Sequence, residues 1–447
     1  MVNYTLLIAV IAGIAILLTL ILYFRIQAFI SLLIASIAVG IIAGMPPLSI
    51  IDTMQKGMGD TLGFVAVIVG LGSMFGAILE NSGGAEALAN HLLRKFGQRR
   101  ASWALMFTGF FVAIPVFFDV GFIILVPLVY SLQRKTGKSL LLYGLPLLAG
   151  LAITHAFIPP TPGPVAVADI LGADLGWVIL FGFFASIPAA ILGGPAFARF
   201  ISKKIHIDAP HFTAEEEEKT SFPAPGIVIS IIGIPILLIV ANTLLNSPLF
   251  SSAQIPPIII KWIGLVGHPF AALVIANLIA WYILGIKRKT DKEKLLKIMT
   301  QSMGPAGIII LLTGAGGVFK QMLVDTGTGE MLAAYFADSG IGLLLFAFVA
   351  AALVRILQGS ATVAMITAAG LTAPLLSAAT GEADKALLVI AIASGATIMS
   401  HVNDSGFWLV GKYLRLSEKQ TFQSWTMLTT VLAIAGFVTV WVISLFV

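Results

Sequence analysis

Apolar runs of about 20 residues recur from one end of this chain to the other, and that repetition limits its fold more than any other feature. They fall near 4–23, 27–44, 60–80, 139–165, 175–199, 226–246, 265–286, 303–324, 384–400 and 423–446. A helix crosses the roughly 30 Å hydrocarbon core of a bilayer in about that length. Inside hydrocarbon every backbone polar group needs an internal partner, so only helices and closed barrels span it. Barrel strands would alternate in units of about ten residues, and no such alternation runs through this sequence. Only 11% of the 447 residues are charged, against roughly a quarter in soluble domains. The chain is therefore expected to be an all-α polytopic membrane protein, with the lipid bilayer as its principal partner.

The same composition removes several function classes. The net charge of +5 includes no basic tract interleaved with aromatics, so no nucleic-acid partner is expected. The absence of cysteine excludes disulfides, iron–sulfur ligation and thiolate catalysis. Met1 to Tyr23 lacks a positive leading region and is too long for the apolar part of a signal peptide. It reads as a first transmembrane helix that is retained.

Two further apolar stretches, 101–133 and 341–378, have polar or glycine-rich centres at Phe117-Phe118-Asp119-Val120-Gly121 and Gln358-Gly359-Ser360-Ala361-Thr362. Each suggests two half-length helices forming a re-entrant hairpin. The halves of the chain also repeat. Gly72 to Gly83 aligns with Gly316 to Gly327 at an offset of 244, and with small gaps the same register pairs the two hairpins, the two broken segments and the terminal spans. The expected architecture is two inverted-topology repeats, residues 1–201 and 226–447, joined by a cytoplasmic linker at 202–225. Each repeat has five transmembrane helices, one re-entrant hairpin and a broken helix after it. With both termini outside, 21 of the 26 Lys and Arg residues fall in loops predicted to be cytoplasmic, as the positive-inside rule requires. The linker carries the acidic run Glu215 to Glu218, read as a solvated connection, and 247–264 reads as an external loop with an interfacial element.

Two apolar runs break down in matching ways, at Thr154-His155-Ala-Phe-Ile-Pro-Pro-Thr161-Pro-Gly163-Pro and at Ser400-His401-Val-Asn403-Asp404-Ser405-Gly. Interrupted helices in corresponding positions of two repeats point to a transporter's binding site. Ionisable groups at membrane depth are functional candidates by default, and here they are Asp119, His155, Arg355, His401 and Asp404. Asp119 suits proton uptake and release, or else caps the hairpin amides. His155 and His401 occupy equivalent positions and suit proton exchange or donation to an anion, the alternative being hydrogen-bonded packing. Helix ends freed by the breaks favour anions. Thr154, Thr161, Gly163, Gly359, Ser360, Thr362, Ser400, His401, Asn403, Asp404 and Ser405 are therefore candidates to bind a small, hydroxylated anionic substrate. Arg355 is either its counter-ion or the structural partner of Asp404. Gly314 to Gly317 lacks the ending of a phosphate loop and reads as close helix packing. His401 and Asp404 lack visible third and fourth ligands, so no metal is expected. No cofactor is expected beyond a coupling ion, a proton or alternatively sodium. A membrane enzyme or a channel is disfavoured by the paired breaks and the inverted repeat.

These motifs resemble those of the gluconate permease family, the gluconate:proton symporters, within a wider ion-transporter superfamily. The resemblance rests on Phe118-Asp119-Val-Gly-Phe, Thr154 to Pro164, Gly359-Ser-Ala-Thr-Val-Ala, Ser400 to Trp408 and Phe319 to Gly327, and runs essentially end to end. Where relatives have histidine in Pro-Pro-His-Pro-Gly-Pro this chain has Thr161, and where they have proline in Asn-Asp-Pro-Gly it has Ser405. The resemblance implies proton-coupled uptake of gluconate or another sugar acid across the bacterial inner membrane, with D-serine as an alternative substrate. It also implies a homodimer working by an elevator motion.

Overall fold

In the computed structural model, residues 4–209, 222–246, 256–327, 342–377, 380–402 and 404–447 are described. Among them there is no strand. The first part of the chain forms α1 (Tyr4–Leu22), α2 (Ala28–Ile42), α3 (Pro47–Asn81), α4 (Gly84–Phe96), α5 (Ala101–Val112), α6 (Phe118–Thr136), α7 (Leu141–Phe157), α8 (Pro162–Leu171), α9 (Leu175–Ile191) and α10 (Phe197–Ile201). The second forms α11 (Pro225–Leu245), α12 (Pro257–Val266), α13 (Pro269–Ala280), α14 (Lys292–Asp325), α15 (Leu343–Gln358), α16 (Ala361–Thr372), α17 (Glu382–Thr397), α18 (Ser405–Tyr413), α19 (Glu418–Thr421) and α20 (Met427–Ile443). Eight helical stretches among the described residues are long and apolar enough to cross a bilayer. They are Tyr4–Ile21, Pro47–Asn81, Leu141–Leu171, Leu175–Ile201, Pro225–Leu245, Pro269–Arg288, Lys292–Asp325 and Glu418–Ile443. The expected spans at 27–44 and 384–400 are helices of 15 and 16 residues.

Two helices outrun their apolar spans, because nothing in the flanking polar sequence stops them. α3 has 35 residues and starts with Pro47 at its first position, where a missing N–H costs nothing. α14 has 34 residues and is capped by Asp291, whose carboxylate accepts from the amides of Glu293 and Lys294 at 3.0 and 3.1 Å. The two run antiparallel. Thr53 donates to Asp325 at 2.9 Å, and further along Gly57 faces Gly317. A Cβ on Gly317 would sit 2.1 Å from Thr61 Oγ1 and 2.7 Å from the Gly57 carbonyl, so only glycine permits this approach. Lipid is as apolar as the helix surface, so such small-residue contacts hold helices together in a membrane where burial alone does not. The expectation of close packing at Gly314 to Gly317 holds, with Gly314 against Met58 and Leu62.

Both expected hairpin centres are breaks between two helices. α5 ends at Val112 and α6 begins at Phe118, so the first break is 113–117 and Asp119 lies just inside α6 rather than within it. The second break is Gly359 and Ser360: Gly359 takes φ +89° and Ser360 caps α16. α7 and α8 are almost wholly buried, whereas α11, α13 and α14 turn side chains such as Leu237, Leu278 and Ile308 outward. α12, within the stretch read as an external loop with an interfacial element, exposes Ile258, Ile259, Trp262 and Leu265. The acidic run Glu215 to Glu218, residues 247–255 and residues 328–341 lie outside the described residues.

Candidate functional site

Each broken segment is held by its own side chains. After α7, Ile158 is extended and Thr161 turns its hydroxyl onto the Ile158 carbonyl at 2.6 Å. α8 then restarts with Pro162, whose lack of an N–H suits a helix start. After α17, the break is tied to the last helix. Ser400 receives the Trp425 indole N–H at 2.6 Å, its amide reaches Thr429 Oγ1 at 3.1 Å, and its carbonyl accepts from the Thr426 hydroxyl. The Ser400 hydroxyl donates to Asp404 Oδ2, and Asp404 Oδ1 caps α18 by accepting from the Gly406 amide at 3.1 Å.

These restarts border one cavity. The N-terminal residues of α6 (Phe118, Asp119), α8 (Pro162, Gly163), α16 (Ala361, Thr362) and α18 (Ser405, Gly406) all line a single cavity of about 720 Å³. α15 adds Arg355 and Gln358, α7 adds Ala152, His155 and Ala156, and α14 adds Pro305 and Ile309. A helix N-terminus carries roughly half a positive charge on unpaired amides. Four of them facing one chamber make a site suited to an anion.

The formal charges in the wall nearly cancel. Arg355 donates to Asp404 Oδ2 at 2.5 Å with both side chains largely buried, and it also donates to the Gly359 carbonyl. In this structure Arg355 is thus paired with Asp404, while among the described residues its buried Nε has no hydrogen-bond partner. Among the described residues Asp119 forms no ion pair and caps no helix; the N-cap of α6 is Phe117, without a side-chain cap. The wall therefore holds one neutral pair and one lone carboxyl group that faces the cavity.

Of the predicted residues, Asp119, His155, Gly163, Arg355, Gly359, Ser360, Thr362, Asp404 and Ser405 are brought together in this wall. His155 is T-stacked on Phe117 with ring centres 6.1 Å apart, and its buried Nδ1 has no hydrogen-bond partner. Four others stand apart from it. Thr154 is fully buried one turn before the first break, and Thr161 faces a separate small cavity beside Ser73. Ser400 lies behind the wall as a structural node, and the His401 ring is paired with the Ile356 carbonyl at 2.9 Å. Asn403 lies outside the described residues. The matched histidines thus occupy different environments, one at the cavity and one against α15. Trp425 and Thr429 were not singled out from sequence, and Phe117 and Gln358 were named only as parts of the hairpin centres. Trp425 sits in a π turn (Phe422–Thr426) that rotates it onto Phe118, with centres 5.5 Å apart.

Known proteins are similar to this chain in fold and in sequence. The fold is similar to that of the YdaH transporter of Alcanivorax borkumensis, with a TM-score of 0.65 at 16% identity over 94% of this chain and 98% of that one. By sequence the chain is 39% identical to a gluconate permease of Pseudomonas aeruginosa over 96% of its length and 95% of the relative's. It is also 39% identical to the low-affinity gluconate transporter of Escherichia coli K12, over 98% and 97%. The L-idonate transporter of the Gnt-II system in that bacterium is 36% identical over 96% and 97%. The profile of the family described as GntP family permease matches residues 4–446. On that match and these identities, the chain belongs to the GntP family of permeases.

Proposed function

We propose that this permease is a secondary active transporter that brings gluconate, or a related small hydroxy-carboxylate, into the cell together with a proton. The observation that carries the reading is the convergence of four helix N-termini on one 720 Å³ cavity. Half-helix N-termini aimed at an anionic group are the recurrent device of such carriers, and the volume lies within the ordinary range for small-ligand sites. The names of the relatives support gluconate or idonate as the substrate class. The cavity favours proton coupling by charge balance. Arg355 is neutralised by Asp404, so an entering carboxylate meets the unpaired Asp119. Loading a proton on Asp119 with each anion keeps the chamber from holding two uncompensated negative charges. Asp119 is then the coupling group, with His155 next to it in the wall. Hydroxyls of Ser360, Thr362 and Ser405 and the amides of Gly163 and Thr362 hold the substrate.

The reading includes two inverted repeats, 1–201 and 226–447, around the linker 202–225, in a bacterial cell membrane with both termini outside. Glycines at matching places support the repeat. Gly150 of α7 lies against the Met106 carbonyl of α5, and Gly395 of α17 lies against the Phe348 carbonyl of α15. Resemblance to the wider ion-transporter group supports a homodimer and an elevator motion. The test is uptake of labelled gluconate, idonate and D-serine into proteoliposomes under an imposed pH or sodium gradient. Accumulation of a sugar acid driven by the pH gradient is expected. Accumulation that needs sodium, flux without accumulation, or chemical conversion of the solute would overturn it.

A further inference from the structure

A second cavity, of about 240 Å³, lies between α3 and α14 and is lined by Ser73, Glu80 and Asn81 from one helix and by Ile298, Gln301 and Ser302 from the other. It shares three wall residues with the main cavity: Phe117, Val120 and Pro305. A third, very small cavity beside the first broken helix shares Phe117 and His155 with the main one. Phe117 is the one residue lining all three. It ends the 113–117 break as the N-cap of α6, its carbonyl accepting from the Gly121 amide at 2.9 Å, and its side chain is only partly buried.

The second cavity has a definite place along the bundle. It lies at the N-terminal end of α14, just inside Lys292, Lys294 and Lys297, and at the C-terminal end of α3. That is the end at which the basic residues of 94–100 and 287–297 concentrate, and such loops stay in the cytoplasm. Towards the other end, α3 and α14 close up at Gly57 and Gly317 with no room for even a methyl group. The side chains of Ser73, Asn81 and Ser302 satisfy themselves on backbone carbonyls, at 2.9, 2.9 and 2.7 Å. Their oxygens stay available to accept from solute hydroxyls or water. A hydroxylated solute leaving the main cavity past Phe117 enters a chamber lined by these polar side chains.

We propose that the 240 Å³ cavity is the chamber through which a hydroxylated carboxylate leaves for the cytoplasm, and that the Phe117 ring is the gate between it and the binding cavity. The proposal rests on the transport reading above, but its test does not use transport. The chain has no cysteine, so single cysteines can be introduced directly into the full-length protein. Ser302→Cys places a thiol in the outer chamber and Thr362→Cys places one in the main cavity. Each is labelled with a membrane-impermeant thiol reagent in inside-out and right-side-out vesicles. S302C is expected to react from the cytoplasmic side. T362C is expected to react from that side at a rate that depends on residue 117, at least about tenfold faster with Phe117→Ala and about tenfold slower with Phe117→Trp. The S302C rate should be the same in all three backgrounds. Labelling of S302C only from the outside, or a T362C rate indifferent to residue 117, overturns the proposal. Phe117→Leu replaces the tryptophan variant if that protein does not elute as a single species in detergent, and it should lie between phenylalanine and alanine. If gluconate uptake fails while this labelling pattern holds, the substrate assignment fails and the gate stands.

Discussion

Removing Arg355 tests how charge is arranged in the cavity. Arg355→Met deletes a guanidinium paired with Asp404 at 2.5 Å, in a site where the two side chains are only 6% and 13% exposed. Two costs follow. Leaving one member of a buried pair uncompensated destabilises a fold by about 3–5 kcal/mol. A substrate carboxylate held roughly 6 Å from the freed Asp404, at an effective dielectric of about 20, is repelled by about 3 kcal/mol, or roughly a hundredfold in affinity. Arg355→Met/Asp404→Asn removes the freed charge, so most of both losses should return despite the second substitution. The assays are isothermal titration of gluconate into the detergent-solubilised protein and the thermal unfolding midpoint of the same samples. The two changes should be strongly non-additive, as directly contacting residues are. If the double variant binds gluconate no better than R355M, Arg355 acts on the substrate itself and the neutral-pair account is wrong.

Further expectations concern the shape of the site. A methyl group on Gly76 would lie 1.9 Å from the Pro115 carbonyl, so Gly76→Ala must push the 113–117 break aside. It should cost about 1–3 kcal/mol of stability and lower the initial rate of uptake, both measured on the purified protein. His155 lines the cavity with an unpartnered nitrogen, whereas His401 is tied to a backbone carbonyl outside it. His155→Gln should therefore weaken substrate binding at least about tenfold more than His401→Gln, read by titration; equal effects would count against the cavity assignment. Trp425→Phe keeps the stack on Phe118 but loses the 2.6 Å hydrogen bond to Ser400. It should lower stability by about 1 kcal/mol, seen as a lower unfolding midpoint.

The parts of this molecule that were legible in its sequence are those that local chemistry decides. Hydrocarbon-length runs, the proline-rich interruption before α8 and the Gly359–Ser360 break announce themselves because no helix passes through them unchanged. The acidic and hydroxyl residues beside the breaks were found for the same reason. What escaped depends on which faces of distant helices meet. Pro305 and Ile309 belong to an ordinary apolar stretch of α14, and only the fold that brings them to the same cavity as the α6 restart makes them wall. Trp425 needs a π turn to point inward, a feature that no period in the sequence marks. The two histidines share a register, yet the second break bends back so that His401 meets Ile356 instead of the cavity. Apolar spans also understated α3 and α14, since hydrophobicity marks where a helix is in lipid and caps mark where it begins.

Proton coupling through Asp119 is the central claim, and Asp119→Asn in proteoliposomes tests it most directly. Asparagine fixes the group in its neutral form. The account predicts that the variant still exchanges labelled gluconate across the membrane, no longer accumulates it against a gradient when a pH difference is imposed, and loses the pH dependence of binding. Gradient-driven accumulation equal to that of the unaltered protein, with the same pH dependence, would contradict it.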